Sequence, residues 1–236
     1  MGPEAANTWA GPFGNEYADR QIPNETGTAG FFARALARME GPPRVALELG
    51  AGTGDNIRAL HRLYPNMSAW AIEVNSHAAN QITGARIIEA DLTETEIPLE
   101  CQPDLVFTRG VLIHIHPSRL HRAYRNLAAS RRYVLIAEYH NPTPIEVRYR
   151  DRDGLLWKRD FAAHFLSMHP EFRVIDYGFA WRHDPHLRQD DLTWFLLERR
   201  ARTSHATKPD TVRAAFASIL QGDDPATGDP STGGAP

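Results

Sequence analysis

The stretch that decides the fold reads Val45-Ala46-Leu47-Glu48-Leu49-Gly50-Ala51-Gly52-Thr53-Gly54-Asp55-Asn56. An apolar run typical of a β-strand carries the acid Glu48, and three glycines follow at alternate positions before a helix begins. Glycine has no Cβ, so the backbone can turn sharply and lie close against a ligand. The next helix presents unpaired N–H groups to that ligand. The stretch therefore predicts a strand–loop–helix nucleotide site in a doubly wound α/β sheet.

The spacing of the glycines narrows the kind of nucleotide. A dinucleotide fingerprint reads G-x-G-x-x-G, whereas residues 50–54 read G-x-G-x-G. A phosphate-binding P-loop would continue with Lys after Gly54, where Asp55 stands. Nothing in the loop neutralises a pyrophosphate, and Glu48 would repel one but could pair with an ammonium group. The pattern Glu-x-Gly-x-Gly-x-Gly resembles motif I of the class I S-adenosylmethionine methyltransferases; the alternative is a Gly-rich turn of another Rossmann-like protein.

The composition limits the classes of function. The chain has 236 residues, enough for one α/β domain with a sizeable core. Its net charge of −3 argues against a nucleic-acid partner, and no apolar run reaches the ~18 residues of a membrane span. Cys101 is the one cysteine, which excludes an internal disulfide and a cysteine metal cluster. We therefore expect a cytoplasmic protein with no signal peptide, membrane partner or metal, and a homodimer stays open.

The hydrophobic pattern divides the chain into three parts. Residues 1–30 are polar and punctuated by Gly and Pro, and they predict an N-terminal arm or lid. Residues 31–202 alternate strands and helices and predict the domain that carries the glycine loop. Residues 203–236 predict a C-terminal extension, a short helix followed by a disordered tail.

The order of elements within the middle part predicts the fold class. Strands are expected near 44–50, 68–73, 85–91, 103–108, 132–138, 172–181 and 192–198, and helices near 31–39, 54–64, 118–129 and 160–168. The polar loop between the last two strands has the length of a hairpin connection. A terminal hairpin on a parallel sheet resembles the methyltransferases. We therefore predict a Rossmann-like class I methyltransferase fold, with a seven-stranded, mostly parallel sheet and a C-terminal antiparallel hairpin.

Acids at the strand ends predict the nucleoside contacts. Glu73 ends the second strand about 20 residues past the glycines, where a ribose diol is held in this class of site. The alternative for Glu73 is an ordinary strand-end acid. Asp91 and Leu92 follow the third strand, where this fold usually holds the adenine. Residues 109–114 follow the fourth strand, and the carboxyl ends of parallel strands face the ligand.

A charged segment follows the fifth strand. Residues 145–160 hold five cations and four acids directly after Pro142-Thr-Pro144. A charge run is usually a solvated face. Because this run follows a strand end on the ligand side, we prefer a substrate clamp in which guanidinium groups grip carboxylate or phosphate. Residues 9–20 and 139–160, both expected to be irregular, are predicted to close together over the substrate.

Six motifs resemble the pseudaminic-acid-biosynthesis-associated methylases. They are Trp9-x-x-x-Phe-Gly-Asn-Glu-Tyr-x-x-Arg20, Thr108-Arg-Gly-Val-Leu-Ile-His114-Ile, Ala137-Glu-Tyr-His-Asn-Pro-Thr-Pro144, Lys158-Arg-Asp-Phe161, Asp176-Tyr-Gly-Phe179 and Trp194-Phe-Leu-Leu-Glu198. The resemblance covers about residues 7–200 and implies a class I methyltransferase fold and S-adenosyl-L-methionine as cofactor. The Ala- and Arg-rich composition further suggests a bacterial source. A relative of this family that acts in natural-product synthesis stays an alternative.

These observations predict an S-adenosylmethionine-dependent methyltransferase acting on the nitrogen or oxygen of a polar small molecule, such as a sugar acid, an amino acid or a natural-product intermediate. Two alternatives stay open, a non-catalytic S-adenosylmethionine-binding partner subunit and a methyltransferase of protein side chains. His114 is the preferred general base, since it titrates near neutrality; Glu138 and Tyr139 are the next catalytic candidates. The predicted cofactor contacts are Glu48, Gly50, Gly52, Gly54, Asn56, Glu73, Val74, Asp91, Leu92 and Arg109. The predicted substrate contacts are Tyr17, Arg20, His114, Glu138, Asn141, Arg148, Arg150, Lys158 and Arg159.

Overall fold

A seven-stranded sheet forms the centre of the molecule, in a computed structural model that describes residues 3–201. The strands are β1 (Val45–Leu49), β2 (Ser68–Glu73), β3 (Ala85–Glu89), β4 (Leu105–Arg109), β5 (Tyr133–Glu138), β6 (Ile145–Glu146), β7 (Trp157–Lys158), β8 (Phe172–Ala180) and β9 (Leu192–Arg199). The central sheet has the order β3-β2-β1-β4-β5-β9-β8, and β6 and β7 pair separately. The five neighbouring strands β3, β2, β1, β4 and β5 are parallel, and β9 is antiparallel to its neighbours β5 and β8. The predicted fold class is confirmed.

Helices cover both faces of this sheet. They are α1 (Pro3–Ala10), α2 (Pro12–Asp19), α3 (Glu25–Ala35), α4 (Asp55–Leu63), α5 (Ser76–Ala79), α6 (Leu120–Leu127) and α7 (Phe161–Met168), with 3-10 turns at Leu112–His114 and Pro117–Arg119. On one face Phe32 packs edge-on against Phe107, with ring centroids 5.4 Å apart. On the other face Tyr124 packs against Phe165. The parallel strands β1, β2, β4 and β5 are thus buried on both sides, which explains their mostly apolar sequences, whereas the edge strand β3 is largely exposed.

The N-terminal residues are more regular than the sequence predicts. Residues 9–20 lie largely in α1 and α2 rather than in an irregular arm, and the helix expected over 31–39 begins already at Glu25. The Asn24 side chain caps that helix by accepting a hydrogen bond from the Gly27 N–H at 3.1 Å.

Aromatic packing accounts for the two short helices. Trp9 of α1 lies edge-on to Phe13 and Tyr17 of α2, with ring centroids 5.2 and 5.1 Å apart. Helices of eight residues are not stable alone in water, so tertiary contacts rather than local propensity form them. The described residues up to Arg200 belong to one compact unit.

Other boundaries differ by smaller amounts. The helix predicted over 118–129 begins at Leu120, because Pro117–Arg119 forms a 3-10 turn, in which the His116 side chain accepts a hydrogen bond from the Ser118 N–H. The predicted extension over 203–236 lies outside the described residues. No helix within residues 3–201 combines the length and apolar character needed to cross a membrane.

Candidate functional site

A cavity of about 220 Å³ opens at the carboxyl ends of β1, β2, β3 and β4. Ligands bind at this edge in open α/β sheets, because the loops that follow the parallel strands diverge there. The helices α1 and α2 supply the opposite wall. The lining residues are Ala5, Ala6, Trp9, Gly14, Tyr17, Ala18, Gln21, Gly50, Ala51, Gly52, Thr53, Asp55, Asn56, Ile72, Glu73, Val74, Asn75, Ala78, Ala90, Asp91, Leu92, Thr93, Arg109, Gly110, Val111, His114, Ile115, His116 and Arg119.

The glycine loop forms the floor of this cavity. Gly50, Gly52 and Gly54 all have positive φ values, 75°, 54° and 83°, a conformation that side-chain-bearing residues rarely adopt. A Cβ at position 50 would lie 2.6 Å from Val111 Cγ1. Apart from the adjoining residues, no described atom lies within 4 Å of the position that a Cβ would take at Gly52, so the space beside this backbone is open. The loop can therefore lie close against a ligand.

Glu73 lies in the cavity with its carboxylate held by the backbone. Its Oε2 accepts a hydrogen bond from the Gly52 N–H at 2.7 Å, and its Oε1 accepts one from the Asn75 N–H at 2.9 Å. Burial raises the pKa of Glu73, and these N–H groups oppose that effect. Each oxygen keeps a further lone pair for a ligand hydroxyl.

The residues predicted to hold an adenine also lie in the cavity. Leu92 and Val74 line it, and Asp91 follows β3 at its edge. The Asp91 Oδ1 accepts hydrogen bonds from the N–H and the hydroxyl of Thr93, both at 2.8 Å. The Asp91 Oδ2 lies 3.3 Å from Arg119 Nη1. These contacts fix the carboxylate at the end of the cavity below β3.

Glu48, a predicted cofactor contact, lies behind the cavity rather than in its lining. Glu48 is fully buried and does not line the cavity. Its Oε1 accepts a hydrogen bond from Asn56 Nδ2 at 2.5 Å, and burial raises the pKa of Glu48 to about 8. The residue that reaches the cavity is Asn56, whose Oδ1 accepts from Arg109 Nη1 at 3.3 Å. Glu48 therefore supports the site from behind.

His114 presents a neutral imidazole to the cavity. Its Nδ1 lies 2.6 Å from the carbonyl oxygen of Leu155; because a carbonyl only accepts, Nδ1 carries the proton and Nε2 is left as an acceptor. Burial lowers the pKa of His114 to about 4, although the Leu155 hydrogen bond opposes this effect. The rings of Trp9 and Tyr149 pack against it, with centroids 4.6 and 5.2 Å away.

Glu138, a predicted catalytic and substrate-binding residue, is directed into the protein interior. It is 2 % exposed and lies outside the cavity. Its carboxylate accepts hydrogen bonds from the N–H groups of Val111, Leu112 and Ile113 at 3.1, 3.1 and 3.4 Å. Burial raises the pKa of Glu138 to about 7, and these N–H groups oppose that effect. Glu138 therefore holds the turn that positions His114. Its neighbour Tyr139 lies outside the cavity as well.

The N-terminal helices and the segment 139–160 do meet, as the sequence predicts. The Arg150 guanidinium lies over the rings of Tyr17 and Tyr149, 5.5 Å from each centroid. The Arg152 guanidinium lies over Phe13 at 5.2 Å. Tyr17 lines the cavity, so these contacts close its outer wall. Whether the two segments respond to substrate stays a prediction.

Several predicted substrate contacts lie away from the cavity. Arg20 is half exposed and pairs with Glu16 at 3.8 Å on α2. Lys158 Nζ lies 5.4 Å from the ring centroid of Tyr139. None of the following lines the cavity: Arg20, Asn141, Arg148, Arg150, Lys158 and Arg159. Arg20 follows α2, and the others belong to segment 139–160; a sequence pattern carries no information on the direction of such side chains.

Two contributors to the site were not predicted. Asn75 lines the cavity and ties it to α1, since its Nδ2 donates to the Trp9 carbonyl at 2.9 Å. Gln189, from the loop between β8 and β9, accepts a hydrogen bond from Arg109 Nη2. The Asn-Ser-His sequence after β2 is a capping signal that could have identified Asn75, whereas nothing local marks Gln189. Within the described part of the chain, no group of three or more His, Cys, Asp or Glu side chains could hold a metal ion.

Comparisons by sequence gave no match, either with protein-family models or with curated proteins. Solved structures do resemble the chain. An O-methyltransferase from the trans-AT PKS multienzyme of Brevibacillus brevis, in complex with S-adenosyl-L-homocysteine, has a TM-score of 0.55 and 15 % identity over 83 % of this chain and 79 % of its own. The sugar N-methyltransferase KedS8 from Streptoalloteichus has a TM-score of 0.57 and 14 % identity over 81 % and 94 %.

The plantazolicin methyltransferase BpumL, in complex with a pentazolic desmethylPZN analog and SAH, has a TM-score of 0.57 and 11 % identity over 83 % of this chain and 95 % of its own. At such identities the similarity establishes the fold. The chain therefore has the Rossmann-like fold of the class I methyltransferases.

Proposed function

We propose that the chain is an S-adenosylmethionine-dependent methyltransferase that acts on a polar small molecule. The observation that carries this proposal is the order of groups along one cavity. Asp91 and Leu92 follow β3, Glu73 ends β2, and the glycine loop follows β1. An adenosine group needs an apolar surface and acceptors for its ribose hydroxyls in that order. The similar structures whose names include S-adenosyl-L-homocysteine support the same reading.

The donors and acceptors of the cavity suit this cofactor. Glu73 would bind the ribose hydroxyls, Asp91 and Leu92 would bind the adenine, and Gly52 would let the backbone approach. Arg109 is a half-buried cation beside the loop and suits the carboxylate of the amino-acid portion. When bound, the cofactor supplies an electrophilic methyl group on a sulfonium.

His114 would serve the acceptor. With Nδ1 held by Leu155, the free Nε2 can accept a hydrogen bond or a proton from the attacking hydroxyl or amine. Glu138 would keep the turn in place, and Trp9 would exclude water. The acceptor is proposed to be a sugar acid, an amino acid or a natural-product intermediate, methylated on nitrogen or oxygen. The motif resemblance to the pseudaminic-acid-associated methylases over about residues 7–200 supports a bacterial, cytoplasmic biosynthetic role.

Calorimetry with S-adenosylhomocysteine tests cofactor binding. We expect Glu73→Gln to weaken binding by about 1–3 kcal/mol, because one carboxylate acceptor is lost at a buried ligand hydroxyl. Glu89→Gln is the matched control, since Glu89 ends the neighbouring strand β3 but is exposed and outside the cavity. Folded wild-type protein that does not bind S-adenosylhomocysteine would refute the proposal.

Transfer of labelled methyl groups tests the reaction itself. Incubation of the protein with methyl-labelled S-adenosylmethionine and a bacterial metabolite extract should label a small molecule that mass spectrometry can identify. A label found only in protein would favour the side-chain methyltransferase. Cofactor binding without label in any fraction would favour the non-catalytic subunit.

A further inference from the structure

The loop between β8 and β9 lies at the same edge of the sheet as the cavity. Thr193, near the start of β9, pairs with Glu138 at the carboxyl end of β5. The residues just before β9 therefore stand beside the strand ends that form the cavity. Most of this loop is exposed, but Gln189 is only 7 % exposed.

The loop is anchored at both ends of its path. The Asn24 Nδ2 donates a hydrogen bond to the Arg188 carbonyl at 2.9 Å. Arg182 donates to the Asp191 carboxylate from its backbone N–H at 2.9 Å and from its Nε at 2.6 Å. Leu187 packs closely on α3, since a Cβ added at Gly30 would lie 2.1 Å from Leu187 Cδ2. These contacts hold Gln189 in one place.

Gln189 holds the guanidinium of Arg109. A guanidinium only donates hydrogen bonds, so the Gln189 atom that faces Arg109 Nη2 is the acceptor Oε1. Asn56 accepts from Nη1 of the same group, and the ring of Phe31 lies 5.5 Å from its Cζ. Arg109 is therefore fixed from three sides.

Two buried donors in this cluster have no partner within the described part of the chain. They are Arg109 Nε and Gln189 Nε2. Buried donors are normally satisfied, so two unpaired donors at a guanidinium indicate an anionic acceptor. The charges of Asp190 and Glu48 oppose the lowering of the Arg109 pKa by burial, but within residues 3–201 neither carboxylate accepts a hydrogen bond from the guanidinium, and Nε keeps no acceptor.

The order of strands indicates which anion this is. Across the cavity the strand ends run β3, β2, β1 and β4. If the adenine and ribose lie at β3 and β2, then the rest of the ligand extends over β1 toward Arg109 at the end of β4. The single anionic group of S-adenosylmethionine is the carboxylate at that far end.

We infer that Gln189 is a positioning residue that orients Arg109 to bind the carboxylate of the cofactor. This inference rests on the proposed function. It makes the loop of the C-terminal hairpin a part of the cofactor site, through a residue that does not itself line the cavity. An anion on the acceptor substrate is the other ligand that Arg109 could bind, and the two have different signatures.

Two ligands separate these cases. S-adenosylhomocysteine carries the amino-acid carboxylate, and 5′-methylthioadenosine shares its adenosine and thioether but lacks the amino-acid group. In calorimetry with the full chain, we expect Gln189→Leu to lower the affinity for S-adenosylhomocysteine about tenfold, because one hydrogen bond to a charged group is lost. Its affinity for 5′-methylthioadenosine should stay the same, which also shows that the variant is folded. Gln81→Leu makes the same change at an exposed position and should alter neither affinity.

A double variant tests whether Gln189 acts through Arg109. We expect Arg109→Met to bind S-adenosylhomocysteine weakly, and the addition of Gln189→Leu to this variant to cause no further loss of affinity. An equal loss of affinity for both ligands, or unchanged affinity for S-adenosylhomocysteine in Gln189→Leu, would overturn the inference. Unchanged cofactor affinity with weaker use of an anionic acceptor would assign Arg109 to the substrate and overturn it too. A wild-type protein that binds neither ligand would instead refute the proposed function.

Discussion

Glu48 is a buried acid whose ionisation should destabilise the folded chain, and Glu48→Gln isolates that effect. The side chain is fully buried, and its pKa is about 8 in the folded chain against an ordinary value of 4.5. Between these two pH values the unfolded chain has lost the proton that the folded chain still binds. The free energy of unfolding therefore falls as pH rises from about 4.5 to 8, and it levels off above the folded pKa.

The expected size follows from the same two values. They differ by about 3.5 pH units, and each unit corresponds to about 1.4 kcal/mol, so the full effect is roughly 5 kcal/mol at most. The glutamine amide resembles the protonated carboxyl and keeps an acceptor for Asn56 Nδ2. Wild type and Glu48→Gln should thus have similar stability at pH 5, and Glu48→Gln should be several kcal/mol more stable at pH 8.

Urea unfolding followed by tryptophan fluorescence measures this difference at each pH. Other buried groups, including His114 and Glu138, change protonation equally in both proteins and cancel from the comparison. The exposed Glu89→Gln variant is the control and should follow the wild-type curve. Stability curves of wild type and Glu48→Gln that stay parallel from pH 5 to 8 would refute the reasoning that Glu48 is protonated in its buried site.

Four further results are expected. Glu138→Ala should lower the free energy of unfolding at pH 5, where the Glu138 carboxyl is protonated in the folded chain, by about 1–3 kcal/mol in urea titrations, because three backbone N–H groups lose their acceptor; unchanged stability would show that Glu138 does not stabilise this turn. In NMR titration the imidazole of His114 should stay neutral until about pH 4, and a midpoint near 6.5 would contradict its burial. Arg20→Ala should leave affinity for S-adenosylhomocysteine unchanged in calorimetry, since Arg20 pairs with Glu16 at the surface; a tenfold loss would place Arg20 at the site. Truncation before residue 204 should leave that affinity and the Tm nearly unchanged, and a drop of many degrees would show that the extension stabilises the domain.

The sequence alone determined the sheet and the position of its glycine loop. The strand Ser68–Glu73 was predicted with its observed ends, because a buried parallel strand is a short apolar run bounded by turn residues. The loop at residues 50–54 was predicted because positive φ values and open backbone are properties of glycine itself. The acids Glu73 and Asp91 then followed, since the end of each parallel strand lies at the ligand edge. Each of these signals is contained in a few consecutive residues.

Tertiary structure decided which side chains reach the cavity. Glu138 sits at a strand end just as Glu73 does, yet it turns inward to cap the Leu112–His114 turn, because both faces of β5 are buried and the acid must find N–H partners. The sequence predicts that His114 titrates near neutrality, but burial lowers its pKa to about 4, and its tautomer depends on the Leu155 carbonyl, 41 residues away.

The same dependence explains the residues that the sequence did not reveal. The helices α1 and α2 form only because Trp9 packs against Phe13, Tyr17 and His114, which no local propensity encodes. Gln189 meets Arg109 across 80 residues of sequence. The apolar pattern and the glycines along the chain indicate strands and turns, whereas hydrogen-bond partners are set by the packing of distant elements. Only the folded chain brings those elements together.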